Sequence, residues 1–229
     1  MPEIILEVKD LNVVLDGEKI IEDLSFSVRR GDVLTVLGPN GAGKTVLLKT
    51  LLGLLPYQGR IWWKAGVKAG YVPQRLPFIK DFPMSVAEFF ELKGVSLQET
   101  RDILSSVGFG GEVLNRKIGQ VSSGQFQRIL IAWALAKKSE VLLFDEPTAG
   151  VDIGGEETIY SLLNKLKIEN KLTILLVTHD LSVVSKFSNF VICLNRSSVC
   201  QGAPKQVLST GALQKLYGDE VKFYGHQKV

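Results

Sequence analysis

Apolar and polar residues alternate from the start of the chain in strand fashion, over Ile4 to Val8, Val13 to Leu15, Ile20-Ile21 and Leu24-Ser25-Phe26-Ser27-Val28. Asp16-Gly17 and Arg30-Gly31-Asp32 supply turn signals. The pattern predicts an antiparallel sheet, and a further pair of strands, Gly59-Arg60-Ile61-Trp62-Trp63 and Gly70-Tyr71-Val72, closes this half of the chain. Pro73, Pro77 and Pro83 then predict a loop from Gln74 through Met84. Helical spacing follows. Ser85 caps a helix over Val86 to Leu92, Glu99 to Val107 forms a second with Gly108 as its stop, and Phe126 to Lys137 forms a third with Ile129, Leu130, Trp133 and Leu135 on its apolar face. Glu140 to Phe144 and Thr173 to Val177 read as buried strands with a helix from Glu156 to Lys167 between them, the signature of a right-handed crossover in a parallel sheet. Val191 to Leu194 with Val199-Cys200 predicts an edge hairpin, and Gly211 to Tyr217 a last short helix.

A chain of 229 residues, 45% hydrophobic and 22% charged, buries a sizeable core and belongs to neither the disordered nor the fibrous classes. The net charge of +3 is too small to imply nucleic acid. No apolar stretch approaches the roughly 18 residues needed to span a bilayer, and the start Met1-Pro2-Glu3-Ile4-Ile5-Leu6-Glu7 lacks a basic region and a cleavage site, so the chain is expected in the cytosol. Cys193 and Cys200, without a histidine nearby, read as buried reduced thiols.

The unalternating run Val33 to Leu37 leads into Gly38-Pro39-Asn40-Gly41-Ala42-Gly43-Lys44-Thr45 and then into Val46 to Leu52, giving strand, glycine loop and helix in the order of a P-loop. Glycines leave the backbone N–H groups an open approach to β- and γ-phosphate oxygens, and the helix aims its positive end at the same anion. Lys44 would reach those oxygens, and the Thr45 hydroxyl would hold Mg²⁺.

Asp145 and Glu146 end the buried strand from Val141, where ligands sit in open α/β sheets. Asp145 suits Mg²⁺ coordination and Glu146 a general base or water-positioning group. His179 ends the next strand on the same rim and reads as a γ-phosphate sensor. Ser122-Ser123-Gly124-Gln125 precedes the helix from Phe126 and reads equally as a second anion site at a helix end or as a capped helix start.

The combination resembles the ATP-binding subunits of ABC transporters over nearly the whole chain. Gly38 to Thr45 matches the Walker A motif, Gln74 the Q-loop, Ser122 to Gln125 the signature, Val141 to Glu146 the Walker B motif with its catalytic glutamate, Ala149-Gly150-Val151-Asp152 the D-loop, and His179 the switch histidine. The resemblance implies an α/β P-loop NTPase of ABC type, one domain over residues 1–229. Within it, 1–81 and 139–229 form a parallel-sheet core with an N-terminal antiparallel β subdomain, and 82–138 an inserted helical subdomain bearing the signature. It implies ATP and Mg²⁺ as cofactors, with Gln74 joining Thr45 and Asp145 toward the metal and Asp152 near the nucleotide. Two copies would sandwich ATP at the cytoplasmic face of a prokaryotic membrane, driving a separate permease fed indirectly by an extracellular metal-binding receptor, with no role for nucleic acid.

Segments 70–75, 82–86, 153–160 and 217–224 look like the zinc/manganese importer branch, with the ATPase of an iron-chelate importer as the alternative. Two residues depart from the family pattern. Leu15 stands where an aromatic ring usually stacks on adenine, and Ser123 where the signature usually has glycine. The alternatives are a soluble ABC ATPase acting on DNA or ribosomes, disfavoured by the absence of long inserts, and a nucleotide-binding module without turnover, disfavoured by Lys44, Asp145, Glu146 and His179.

Overall fold

A computed structural model describes residues 3–74, 83–146 and 153–217, and the chain divides into two compact units, Met1–Lys64 with Leu175–Val229, and Ala65–Ile174. The first unit opens with β1 (Ile4–Leu15) and β2 (Glu18–Arg29), which pair antiparallel. The alternation that reads as four short strands is two long ones, because Asp10 and Asp23 take positive φ (51° and 45°) and shift the pairing register without ending it. Each bulge moves the buried face by one residue, from Val8 to Leu11 and from Ile21 to Leu24. Ser25 Oγ accepts from the Asp10 amide at 2.9 Å and Asn12 Oδ1 from the Asp23 amide at 3.1 Å, so both bulges are satisfied locally. The Asp16-Gly17 turn has positive φ at both residues, 50° and 81°, as a tight hairpin requires.

Next come β3 (Val33–Leu37), buried along its whole length, and α1 (Lys44–Leu51), with the glycine loop between them. β4 (Gln58–Trp63) pairs antiparallel with β1 and completes a three-stranded sheet. Gly70-Tyr71-Val72, a strand as expected, does not join that sheet. It forms β5 (Ala69–Val72), paired parallel with a buried strand of the second unit, since alternation reveals a strand but not its partner.

In the second unit α2 (Val86–Glu91) starts at Ser85 with a capping box, Ser85 Oγ accepting from the Glu88 amide at 3.2 Å while Glu88 Oε2 accepts from the Ser85 amide at 2.7 Å. α3 (Leu97–Ser106), capped by Ser96, starts two residues ahead of the expected Glu99. After two short 3₁₀ turns comes α4 (Ser123–Leu135), which begins earlier than the apolar periodicity indicates because Ser122 caps it, and which ends before Ala136. Phe89 stacks on Trp133 with centroids 5.6 Å apart, and Lys93 lies 4.2 Å above the same ring, joining α2 to α4. β6 (Val141–Asp145) is buried throughout and pairs with β5, Gly70 opposite Leu142. A Cβ at Gly70 would strike the Ala134 carbonyl, so α4 lies directly on β5. α5 (Ile153–Asn170) follows.

β7 (Thr173–Thr178), also fully buried, begins in the second unit and ends in the first. There α6 (Leu181–Phe187) precedes β8 (Phe190–Asn195), parallel to β3, and β9 (Ser197–Gly202), antiparallel to β8. α7 (Pro204–Val207) and α8 (Thr210–Tyr217) complete the described chain. Val207, Leu213 and Leu216 pack with Leu37, Val184, Val191 and Cys193 behind β3 and β8. The hairpin sets Cys193 directly opposite Cys200, with Cα atoms 4.9 Å apart, and the two form a disulfide. This corrects the expectation of reduced thiols: cross-strand register brings together two cysteines that sequence spacing leaves apart. No helix among the described residues is long and apolar enough to cross a membrane.

Gly70→Ala is expected to destabilise the protein by about 2 to 3 kcal/mol, because the added methyl meets a backbone carbonyl. Ser85→Ala is expected to remove about 1 kcal/mol by breaking the capping box. Denaturant unfolding measures both; a Gly70→Ala loss no larger than that of Ser85→Ala contradicts the close packing of α4 on β5.

Candidate functional site

In the first unit the glycine loop is shaped by three backbone approaches. A Cβ at Gly38 would strike the Leu194 carbonyl of β8. Gly41 and Gly43 take φ of 80° and 94°, and a Cβ at Gly43 would lie 3.0 Å from the Ile20 carbonyl of β2. Ala42, 2% exposed, accepts a hydrogen bond from the Arg196 amide at 3.3 Å, and the Arg196 carbonyl in turn accepts from the Glu22 amide at 2.9 Å. The loop thus sits between β2 and the β8–β9 turn. Pro39 closes it by accepting from the Ala42 amide at 3.2 Å.

Lys44, 7% exposed, donates from Nζ to the carbonyls of Gly38 at 2.9 Å and Pro39 at 3.0 Å, so its ammonium lies across the loop at the head of α1. No side chain caps α1: Gly43 occupies the capping position and offers the first-turn amides neither a hydroxyl nor a carboxylate. Thr45 is half-buried in that first turn. Leu15 ends β1 opposite Glu18, half-buried, on the hairpin whose Ile20 touches Gly43. His179 follows β7 and is exposed. Its neighbours are fixed, since the Asp180 amide donates to Thr178 Oγ1 at 3.1 Å and Asp180 Oδ1 accepts from the Ser182 amide at 2.7 Å as the cap of α6.

In the second unit Asp145, 2% exposed, ends β6, and Tyr71 of β5 donates its hydroxyl to Asp145 Oδ2 at 3.3 Å. Burial, reinforced by the Asp145 charge, pushes the Tyr71 phenol well above its ordinary range and keeps it a donor. Glu146 adopts φ 46°, a left-handed backbone uncommon for a residue with a side chain and frequent at functional sites. Gln74 Nε2 donates to Glu146 Oε2 at 2.7 Å, which turns the Gln74 amide oxygen away from that carboxylate. The Asp145 carboxylate, the Gln74 amide oxygen and the Thr45 hydroxyl are all hard oxygen donors, the chemistry that suits Mg²⁺.

Ser122 to Gln125 forms the first turn of α4, with only Ser122 outside the helix. Ser122 Oγ accepts from the Gln125 amide at 3.2 Å and Gln125 Oε1 from the Ser122 amide at 3.0 Å, so these two side chains satisfy each other. Ser123 is exposed at the first helical position. A Cβ at Gly124 would meet nothing within 4 Å, so packing inside the chain does not demand glycine there. Asp152 and the D-loop, the loop segment 75–82 and the tail 218–229 lie outside the described residues.

Two participants escaped the sequence reading. Tyr71 carried a signal, since a tyrosine in a buried parallel strand needs a partner for its hydroxyl. Arg196 carried none, because it acts through its backbone.

The family model described as ABC transporter matches residues 21–149. The zinc import ATP-binding protein ZnuC of Pseudomonas syringae pv. syringae (strain B728a) is 39% identical over 220 residues, covering 95% of this chain and 84% of that protein. An ABC transporter described as metal-chelate type, in an inward-facing conformation, superposes with a TM-score of 0.83 at 28% identity, covering 94% of this chain and 89% of the other. The cbiO1 protein of Clostridium perfringens, part of the ABC transporter complex cbiONQ, gives 0.79 at 27% identity, with 92% and 93% covered. With its P-loop, buried carboxylate strand and capped signature helix, the chain belongs to the ABC transporter family of ATP-binding proteins.

Proposed function

We propose that the chain is the ATP-hydrolysing subunit of an importer for a divalent metal ion, zinc above all, working with a separate membrane permease and a second copy of itself at the cytoplasmic face. The observation that carries this reading is the 39% identity to a zinc import ATP-binding protein along 95% of the chain. Gln74 and residues 82–138, which include the signature helix, are the parts we assign to communication with the permease.

In this reading the P-loop amides from Gly38 to Thr45 hold the β- and γ-phosphates, and Lys44 exchanges its loop carbonyls for phosphate oxygens. Thr45, Asp145 and Gln74 would hold Mg²⁺, which supplies charge neutralisation on the phosphates. Glu146, oriented by its strained backbone and by Gln74, positions the attacking water and draws on its proton. His179 contacts the γ-phosphate, and Ser123, Gly124 and Asp152 serve the nucleotide held by the partner copy. Leu15 gives the base apolar contact without stacking.

Cells lacking this chain are expected to take up radioactive zinc slowly and to regain uptake with the intact gene. Recovery of iron-chelate uptake but not zinc uptake would move the assignment to that importer class. Glu146→Gln is expected to keep ATP binding while lowering kcat by about 10²-fold or more, read by phosphate release and nucleotide titration. A Glu146→Gln protein turning over at the parental rate removes Glu146 from the reaction. Lys44→Ala is expected to weaken ATP binding by about 1.5 to 3 kcal/mol through loss of a charge-assisted contact. Unchanged affinity with a lower melting temperature would leave Lys44 a role in tying the loop alone.

A further inference from the structure

We propose that Cys193 and Cys200 form a thiol–disulfide exchange site that sets the affinity of the P-loop for nucleotide, an inference that rests on the P-loop being the nucleotide site. Three placements carry it. Cys193 is fully buried and stands in register with Leu37, the residue that enters the loop, while Cys200 on the edge strand is only partly buried. The residue after Cys193, Leu194, presses its carbonyl on Gly38. The turn enclosed by the disulfide contains Arg196, whose amide bonds to Ala42 and whose carbonyl bonds to β2.

These contacts of the hairpin with the loop lie inside, or next to, the ring that the disulfide closes. Opening the ring returns conformational freedom to the turn, and the loop loses part of its preorganised shape. Disulfides facing a reducing compartment act as exchange sites rather than permanent staples, which matches a protein working at the cytoplasmic face.

The reaction is a two-electron exchange with a dithiol. A thiolate of the dithiol attacks Cys200 Sγ, the S–S bond breaks, and Cys193 leaves and takes up a proton in its apolar surroundings. The second thiol of the reductant then attacks the mixed disulfide, releasing Cys200 as a thiol. The reductant ends as a disulfide, and its two electrons and two protons reside on the cysteines.

The test uses the full chain equilibrated in oxidised or reduced dithiothreitol, with thiols counted by alkylation and mass spectrometry and affinity read by titration with a fluorescent ATP analogue. The oxidised form is expected to bind at least about fivefold more tightly. By reciprocity, saturating nucleotide should raise the reduced-to-oxidised ratio at half-reduction by the same factor, about 20 mV for a two-electron couple. Cys200→Ser should bind with the affinity of the reduced protein in either buffer. Equal affinities with both redox forms verified, or thiols that stay unpaired in oxidised buffer, overturn the proposal. Parental affinity in Lys44→Ala would instead overturn the P-loop reading, so the two failures are separable.

Discussion

The close backbone packing around the P-loop is the constraint on which the rest of the first unit depends. A loop that offers its amides to an anion cannot spend them on its own secondary structure, so neighbouring backbone must hold its shape. Here the Leu194 carbonyl lies against Gly38, the Ile20 carbonyl against Gly43, and the Arg196 amide on Ala42. Each of these neighbours belongs to a hairpin. The β1–β2 hairpin and the β8–β9 hairpin, tied to each other by the Glu22–Arg196 bond, are thus the frame of the loop, and the three-stranded sheet is more than an appendage.

In the second unit the governing constraint is the burial of charge at a strand end. Asp145 closes a strand with no exposed residue, and Tyr71 from the adjacent parallel strand supplies it a donor. One residue on, the backbone turns left-handed at Glu146, and Gln74 fixes its carboxylate. Positive φ at a residue with a side chain costs of order 1 kcal/mol or more. It persists where the surroundings determine it, and here the Gln74 amide holds the Glu146 carboxylate at 2.7 Å.

The local structure of the candidate site is legible in the sequence where the residue pattern is strict. Gly38 to Thr45 needs glycines at positions where backbone approaches or positive φ leave no room for a side chain, and Asp145-Glu146 follows an apolar run that can only be a buried strand. Features set by partner choice or backbone geometry were not. Gly70-Tyr71-Val72 reads as a strand whichever sheet it joins. Asp10 and Asp23 look like strand ends because aspartate at positive φ inside a ladder leaves no pattern. The edge hairpin was visible, yet the pairing of Cys193 with Cys200 depends on a register that a one-residue slip would alter. Capping is legible at both helix starts: Ser85 announces α2, and of the two readings open for Ser122, a capped helix start and an anion site, the first is the one its hydroxyl takes at the head of α4.

Amide hydrogen exchange of Arg196 and Glu22, followed in the full chain with and without ATP, bears most directly on this account. Both amides donate to carbonyls in the frame of the P-loop. They are predicted to exchange as slowly as the amides of β3 and β8, and more slowly still once ATP occupies the loop. Exchange at the rate of an exposed turn, unchanged by nucleotide, would contradict the claim that the two hairpins shape the nucleotide site.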